Sequence, residues 1–154
     1  MGLFSKKIEL FAPVSGTLKP ISEAGDELFA SKAMGDGFVI IPTSNRIYSP
    51  VKGKIVSVFP TQHAIAIKNG KLEYLLHLGI DTVELNGEGF DIKVSKNDAV
   101  DENTLLGNVD FDFIEKKGKK TDVIFVCTNL KDSQKIALED KNKIEHSNII
   151  GRIE

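Results

Sequence analysis

The sequence predicts an all-β protein: mainly an antiparallel sandwich or barrel of short strands, with an internal pseudo-repeat and at most one or two short helical turns. Short apolar-alternating segments recur along the chain, separated by Gly, Pro, Asn and Asp, the punctuation of strands and tight turns. All five prolines (Pro13, Pro20, Pro42, Pro50 and Pro60) fall in the first 60 residues, at the ends of such segments. There they interrupt no hydrogen-bond ladder. The run Pro13-Val14-Ser15-Gly16-Thr17-Leu18 returns 37 residues later as Pro50-Val51-Lys52-Gly53-Lys54-Ile55. Each copy reads as a tight turn leading into a strand. The pair reads either as coincident turn chemistry or as two similar β-motifs facing each other in one sandwich.

In chain order the expected strands are residues 17–19, 37–42, 46–49, 54–59, 64–68, 71–78, 91–94, 105–111, 122–128 and 149–153. Helical turns are expected only over 113–117 and 131–136. At 154 residues the chain is long enough for one domain that buries about two-thirds of its unfolded surface. No Pro- or Ser-rich linker divides it, so residues 1–154 are expected to form a single domain, with 1–8 a flexible N-terminal segment.

Composition narrows the function. A net charge of −2 gives no general attraction to nucleic acid or to anionic membranes. The single cysteine, Cys127, lies in the apolar run Val123-Ile124-Phe125-Val126-Cys127 and reads as a buried strand thiol. It allows no internal disulfide and no CxxC motif. The opening Met1-Gly2-Leu3-Phe4-Ser5-Lys6-Lys7 is too short for a signal-peptide core, and Lys6 breaks the myristoylation pattern. No apolar run approaches the roughly 20 residues that cross a bilayer. The expectation is a cytoplasmic protein. The dense lysine run from Glu115 to Lys120 has no interleaved aromatics and reads as a solvated turn or helix face.

Three histidines remain as carriers of chemistry. His146 sits in a polar stretch and reads as a surface residue. His63 and His77 flank the hairpin from Ala64 to Leu76, in which Asn69-Gly70 is a strong turn signal. A two-residue turn there pairs Lys68 with Lys71 and puts the imidazoles on opposite faces. A three-residue turn with Gly70 left-handed pairs Ile67 with Lys71 and makes them same-face diagonal neighbours. A bulge beside His63 has the same effect. The spacing does not choose among these registers. Two imidazoles alone make at most half a zinc site, since durable sites take three or four ligands. Alternatively, one ring is a nucleophile while the other donates to the incoming group, a division that suits phosphoryl transfer. Nucleotide motifs are missing: Gly53-Lys54 lacks the first glycine of a phosphate loop, and neither HExxH nor GxSxG occurs.

The string His77-Leu78-Gly79-Ile80-Asp81-Thr82-Val83, followed by Leu85-Asn86-Gly87-Glu88-Gly89-Phe90, resembles the glucose-type enzyme IIA family of the bacterial phosphoenolpyruvate-dependent sugar phosphotransferase system. Upstream, Ala12-Pro13-Val14-Ser15-Gly16, Met34-Gly35-Asp36-Gly37, Ser49-Pro50-Val51-Lys52-Gly53 and Phe59-Pro60-Thr61-Gln62-His63-Ala64 match in order. The resemblance runs from about residue 11 to residue 150. It implies that His77 takes the phosphoryl group on Nε2 while Nδ1–H is held by the Gly79 carbonyl. It further implies that His63, oriented by the Thr61 hydroxyl, donates to the phosphoryl oxygens.

By the same resemblance the donor is the histidine-containing phosphocarrier protein and the acceptor is a cysteine on the enzyme IIB domain of a sugar permease. Regulatory target proteins are further possible partners, and no cofactor or metal is required. Asp26 and Asp81 match acidic positions that face the donor's basic residues. Leu28, Phe29, Met34, Phe59, Leu75 and Val83 match an apolar docking collar, with Phe29 and Phe59 expected at the surface. Departures from the family pattern are Glu27 and Ala33 in place of aliphatics, a shorter turn at Asn69-Gly70, and Asp122 in place of a proline, which reads as an edge change. A rival carrier reading of the biotinyl or lipoyl type would use Lys32 in Ser31-Lys32-Ala33-Met34. A third reading is a regulatory binding module, and a fourth is a two-histidine zinc protein completed by a partner's carboxylate. A monomer is expected, because a carrier must expose its site to successive partners.

Overall fold

The computed structural model of the protein describes residues 7–154. Its strands are β1 (Ile8–Phe11), β2 (Gly16–Pro20), β3 (Asp36–Pro42), β4 (Arg46–Tyr48), β5 (Gly53–Val58), β6 (Ala64–Asn69) and β7 (Leu72–Leu78). They continue as β8 (Phe90–Ile92), β9 (Ala99–Val100), β10 (Leu105–Val109), β11 (Val123–Cys127), β12 (Ile136–Leu138), β13 (Lys143–Ile144) and β14 (Ile149–Ile153). Among the described residues the helical elements are α1 (Glu27–Ala30), α2 (Phe111–Lys116) and the 3₁₀ turns Ile21–Glu23 and Thr82–Leu85. The β-sandwich expected from the sequence is what the chain forms.

Eight strands make one antiparallel sheet in the order β13-β2-β3-β11-β7-β6-β5-β9, and two three-stranded sheets run β1-β14-β12 and β4-β10-β8. Alternation along the strands decides the two faces. Phe38 and Ile40 on β3, Phe125 on β11, Tyr74 and Leu76 on β7, and Ile65 and Ile67 on β6 point inward, where they meet Leu10, Ile47, Leu106 and Ile150 of the smaller sheets. Phe38, Phe125 and Tyr74 stack across neighbouring strands, with centroids 4.9 and 5.4 Å apart. The opposite face carries a smaller apolar cluster of Ile21, Phe29, Val39, Ile80, Ile124 and Val126. Because α1 and the first 3₁₀ turn cover it, β11 is buried on both faces. Its five consecutive apolar residues follow from that, and Cys127 is the buried strand thiol expected.

The pseudo-repeat is two facing motifs. The Phe11 N–H donates to the Pro50 carbonyl (2.8 Å), and the Tyr48 N–H, in the corresponding place 37 residues on, donates to the Pro13 carbonyl (2.7 Å). Gly16 pairs with Ile144 on β13, as Gly53 pairs with Val100 on β9. A Cβ on Gly16 would lie 2.1 Å from the Ile41 carbonyl oxygen, and one on Gly53 would lie 2.3 Å from that of Lys68. Both positions therefore demand glycine because a neighbouring strand's backbone fills the space.

Several elements depart from expectation. The β6–β7 hairpin adopts neither proposed register: Asn69 pairs with Leu72, so the turn is Gly70-Lys71. Gly70 at φ 60° supplies the positive dihedral wanted at the first position of a type II′ turn. Asn69 is thus the last strand residue, not the first turn residue. Ile8, expected in a flexible segment, pairs with Ile153, while residues 1–6 of that expectation lie outside the described residues. The helical turn at 131–136 is instead a tight turn in which the Gln134 N–H donates to the Lys131 carbonyl, ahead of β12. The strand expected over 105–111 stops at Val109 because the Asp110 carboxylate accepts the Phe113 N–H (3.1 Å) and starts α2 there.

Candidate functional site

His77 is the penultimate residue of β7, on the face away from the main core, opposite Ala64 of β6 and Ile124 of β11. Ala64 presents only a methyl group there, which leaves room above it. His63 precedes the first paired residue of β6, so strand alternation does not dictate its direction. The chain reaches it through a tight turn in which the Gln62 N–H donates to the Phe59 carbonyl and Gln62 takes φ 59°. The two imidazole rings meet edge to face, with centroids 5.1 Å apart. The same-face arrangement that the chemistry wants is therefore reached by a turn before the strand, not by a bulge or a slipped ladder.

Both rings are oriented through Nδ1. His77 Nδ1 lies 2.6 Å from the Gly79 carbonyl oxygen. A carbonyl only accepts, so Nδ1 carries the proton and Nε2 of the neutral ring holds the lone pair. His63 Nδ1 lies 2.5 Å from Thr61 Oγ1. When the hydroxyl donates, the His63 proton sits on Nε2. Gly79 takes φ 83°, and a Cβ there would lie 2.5 Å from Thr82 Cγ2. The carbonyl that holds His77 thus depends on glycine. Buried Thr82 braces the same turn by donating its hydroxyl to the Leu78 carbonyl (2.8 Å).

Burial lowers the pKa of both imidazoles. For His63 the second cause is the neighbouring His77. For His77 the hydrogen bond to Gly79 and the charges of Asp26 and Asp81 oppose the lowering without reversing it. Burial thus favours the uncharged form of both rings, and in neutral His77 the lone pair is on Nε2.

The surroundings divide the expected collar. Leu28, Phe59 and Val83 are exposed, at 52%, 38% and 48%. Met34 and Leu75 are half-buried against the smaller cluster. Phe29, expected at the surface, is only 5% exposed. The α1 turn rolls it inward among Ile21, Val39 and Ile124, with its ring 5.1 Å from that of His77. Phe29 is therefore a wall of the site, while Phe59 packs edge-on against His63 at 5.5 Å and faces outward. Asp26 caps α1 by accepting the Leu28 N–H (2.8 Å), and Asp81 is exposed beside the His77 turn at φ 61°. His146 is exposed as expected, yet its ring stacks on Tyr48 with centroids 3.9 Å apart.

Asp122, the residue expected to be an edge change, is instead part of the interior. Its side chain is buried and accepts the Gly25 N–H (2.9 Å), and its carbonyl accepts the Gly79 N–H (2.8 Å). A charged residue at the start of an apolar central strand was the available signal. The α1 helix was also missed, although Asp26 followed by Glu27, Leu28 and Phe29 carries an N-cap signature. Among the described residues no group of three His, Cys, Asp or Glu side chains is arranged to hold a metal. Lys32, the rival attachment point, is exposed at φ 66° and pairs with Asp36 at 3.7 Å.

Residues 8–133 match the model of the family described as phosphoenolpyruvate-dependent sugar phosphotransferase system, EIIA 1. The chain is 37% identical over 150 residues to the PTS system glucose-specific EIICBA component of Staphylococcus saprophyticus, covering 97% of this chain and 22% of that protein. It is 40% identical over 141 residues to the PTS system glucose-specific EIIA component of Staphylococcus aureus strain Mu50, covering 90% of this chain and 84% of that protein. The solved structure of glucose permease IIA from Mycoplasma capricolum superposes with a TM-score of 0.88 at 34% identity, over 97% of both chains. The fold and these matches together define a phosphotransferase-system component built on a β-sandwich. The chain belongs to the glucose-type enzyme IIA family. Among the described residues, no helix is long and apolar enough to cross a membrane.

Proposed function

We propose that the chain is a phosphoryl carrier whose covalent acceptor is Nε2 of His77. The observation that carries this reading is the 2.6 Å contact between His77 Nδ1 and the Gly79 carbonyl, which leaves Nε2 as the nucleophilic nitrogen beside His63. The donor is the histidine-containing phosphocarrier protein. As the Nε2–P bond forms, the donor's P–N bond breaks, and its electron pair returns to the donor nitrogen. His77 keeps its Nδ1 proton, so the phosphorylated ring carries positive charge. The Gly79 carbonyl and the nearby charges of Asp26 and Asp81 favour that charged ring. His63 donates from Nε2–H to a phosphoryl oxygen, and Thr61 holds the required tautomer. Such transfer rests on alignment and on donors for the phosphoryl oxygens.

In the second half, a thiolate of an enzyme IIB domain attacks phosphorus, the Nε2–P bond breaks, and its electron pair restores neutral His77. The exposed Leu28, Phe59 and Val83 form the docking surface for both partners, with Asp26 and Asp81 meeting basic residues of the donor. The chain works as a single, monomeric domain on the cytoplasmic side. Relatives that are called glucose-specific make a glucose permease the acceptor to try first.

The test is transfer of labelled phosphate from phosphoenolpyruvate through the purified general proteins of the system. Wild type should take label that is stable to base and labile to acid, and His77→Ala should take none. His63→Gln should accept label and fail to pass it to an enzyme IIB domain. An unlabelled wild type, with donors shown active on another acceptor, would overturn the reading.

A further inference from the structure

We propose that Asp122 is a positioning residue for His77, acting through a clasp on Gly25 that seats α1 against the imidazole. The inference deepens the phosphoryl-carrier reading and rests on it. Gly25 is held from both sides. Its N–H donates to the buried Asp122 carboxylate (2.9 Å), and its carbonyl accepts from Lys120 Nζ (2.9 Å). A Cβ on Gly25 would lie 2.7 Å from Lys120 Cδ and 3.2 Å from Ile80 Cδ1, so the segment lies flush against its clasp. The next residue, Asp26, caps α1, and Phe29 of α1 walls the His77 ring at 5.1 Å.

The main chain of the same strap holds the other side of the site. The Asp122 carbonyl accepts the Gly79 N–H (2.8 Å), and the Lys120 carbonyl accepts the Ile80 N–H (3.0 Å). Gly79 is the residue whose carbonyl orients His77. One short stretch of chain therefore fixes both the acceptor that aims the ring and the wall that keeps water from it. The α1 helix is four residues long, far below the length at which a helix holds itself together, so its placement depends on anchors outside it. A proline at position 122 would still offer a carbonyl to Gly79 but no side-chain acceptor to Gly25. The clasp is thus a property of this chain's aspartate.

The experiment compares wild type with Asp122→Ala, Asp122→Asn and Lys120→Met, with folding checked by thermal unfolding. One readout is the NMR titration of the His77 ring in the unphosphorylated protein, where His63, Asp26 and Asp81 are the charged or titratable neighbours. The other is the rate at which phosphorylated protein loses label at neutral pH. Losing the clasp should raise the His77 midpoint toward its ordinary value as water reaches the ring. Asp122→Ala and Lys120→Met should each lose label about fivefold faster, the rate equivalent of one hydrogen bond. Asp122→Asn, whose amide oxygen still accepts from Gly25, should match wild type.

Folded Asp122→Ala and Lys120→Met proteins with unchanged midpoint and label lifetime would overturn the proposal. So would Asp122→Asn as impaired as Asp122→Ala, because the clasp needs only an acceptor. If Asp122→Ala does not fold, an unchanged midpoint in Lys120→Met decides against it. A wild type that takes no label removes the carrier reading alone, and the titration still reports whether the clasp seats α1.

Discussion

The two copies of the Pro/Gly turn enter the large sheet in the same way and leave it differently. Gly16 and Gly53 begin β2 and β5 in equivalent surroundings, and each copy lends its proline carbonyl to the other. At the far end of the strands the equivalence stops. From Pro20 at the end of β2 the chain makes a long excursion through a 3₁₀ turn and α1 before it returns as β3. From Val58 at the end of β5 it turns back at once through Phe59–His63 into β6. The long connection supplies the buried wall and a carboxylate, Phe29 and Asp26. The short one supplies the polar partner and an exposed ring, His63 and Phe59. A duplicated frame thus holds the site, and the two connections where the copies diverge supply the groups that flank His77 of β7.

The largest contrast should come from the two phenylalanines. Phe29→Ala opens a cavity beside His77 and should cost about 4 kcal/mol, the range for a buried phenylalanine. Phe59→Ala should stay within about 0.5 kcal/mol of wild type while weakening partner binding. Urea unfolding with a binding titration separates the two, and equal stability losses would break the division into wall and docking ring. The equivalent glycines come next. Gly16→Ala and Gly53→Ala should each cost about 2–3 kcal/mol through overpacking against a strand carbonyl. Matching losses sharpen the equivalence of the copies, and a loss at one position alone breaks it.

A smaller effect belongs to Thr61. Thr61→Val removes the hydroxyl that orients His63 and should slow onward transfer about fivefold, with stability little changed, the scale of one hydrogen bond. Thr61→Ser should restore the rate, and full activity of the valine variant would remove Thr61 from the mechanism. The last prediction concerns proton linkage. Burial lowers the pKa of both His63 and His77 from the ordinary 6.5. Between the lowered values and 6.5 the unfolded chain binds more protons than the native one. Stability should therefore fall as pH drops below about 6.5 and be fully restored above it. Unfolding free energies of a His63→Gln/His77→Gln protein should show a shallower slope over that window, and an unchanged slope would place the linkage elsewhere.

The β-sandwich was legible in the sequence because the turns are chemically marked and the strands alternate, apart from the run of β11, which is covered on both faces. The histidine pair and Gly79 were legible for a different reason, namely a local string whose resemblance to a family is specific. What was hidden depended on long-range contacts. Ladder counting from Asn69-Gly70 gave two registers, both displaced from the real one, because nothing local shows that Asn69 bonds as a strand residue. Nor does the ladder set the direction of the His63 ring, since His63 precedes the first paired residue of β6 and joins β7 only through its carbonyl, which accepts the Leu78 N–H (2.7 Å). The short strands β1, β9, β12 and β13 were missed, since two to four residues show too little alternation to stand out. Asp122 looked peripheral because its partner, Gly25, is distant in sequence.

The pairing of β1 with β14 fixes where the two terminal strands sit relative to the imidazoles. Ile8 lies opposite Ile153, and Lys7 and Ile8 line one cavity of about 480 Å³ with Asn69, Gly70 and Leu72, at the turn end of the β6–β7 hairpin. Leu72 and His77 stand at opposite ends of β7, about 17 Å apart along an extended strand. The paired ends of the two terminal strands therefore lie at the end of β7 away from the imidazoles.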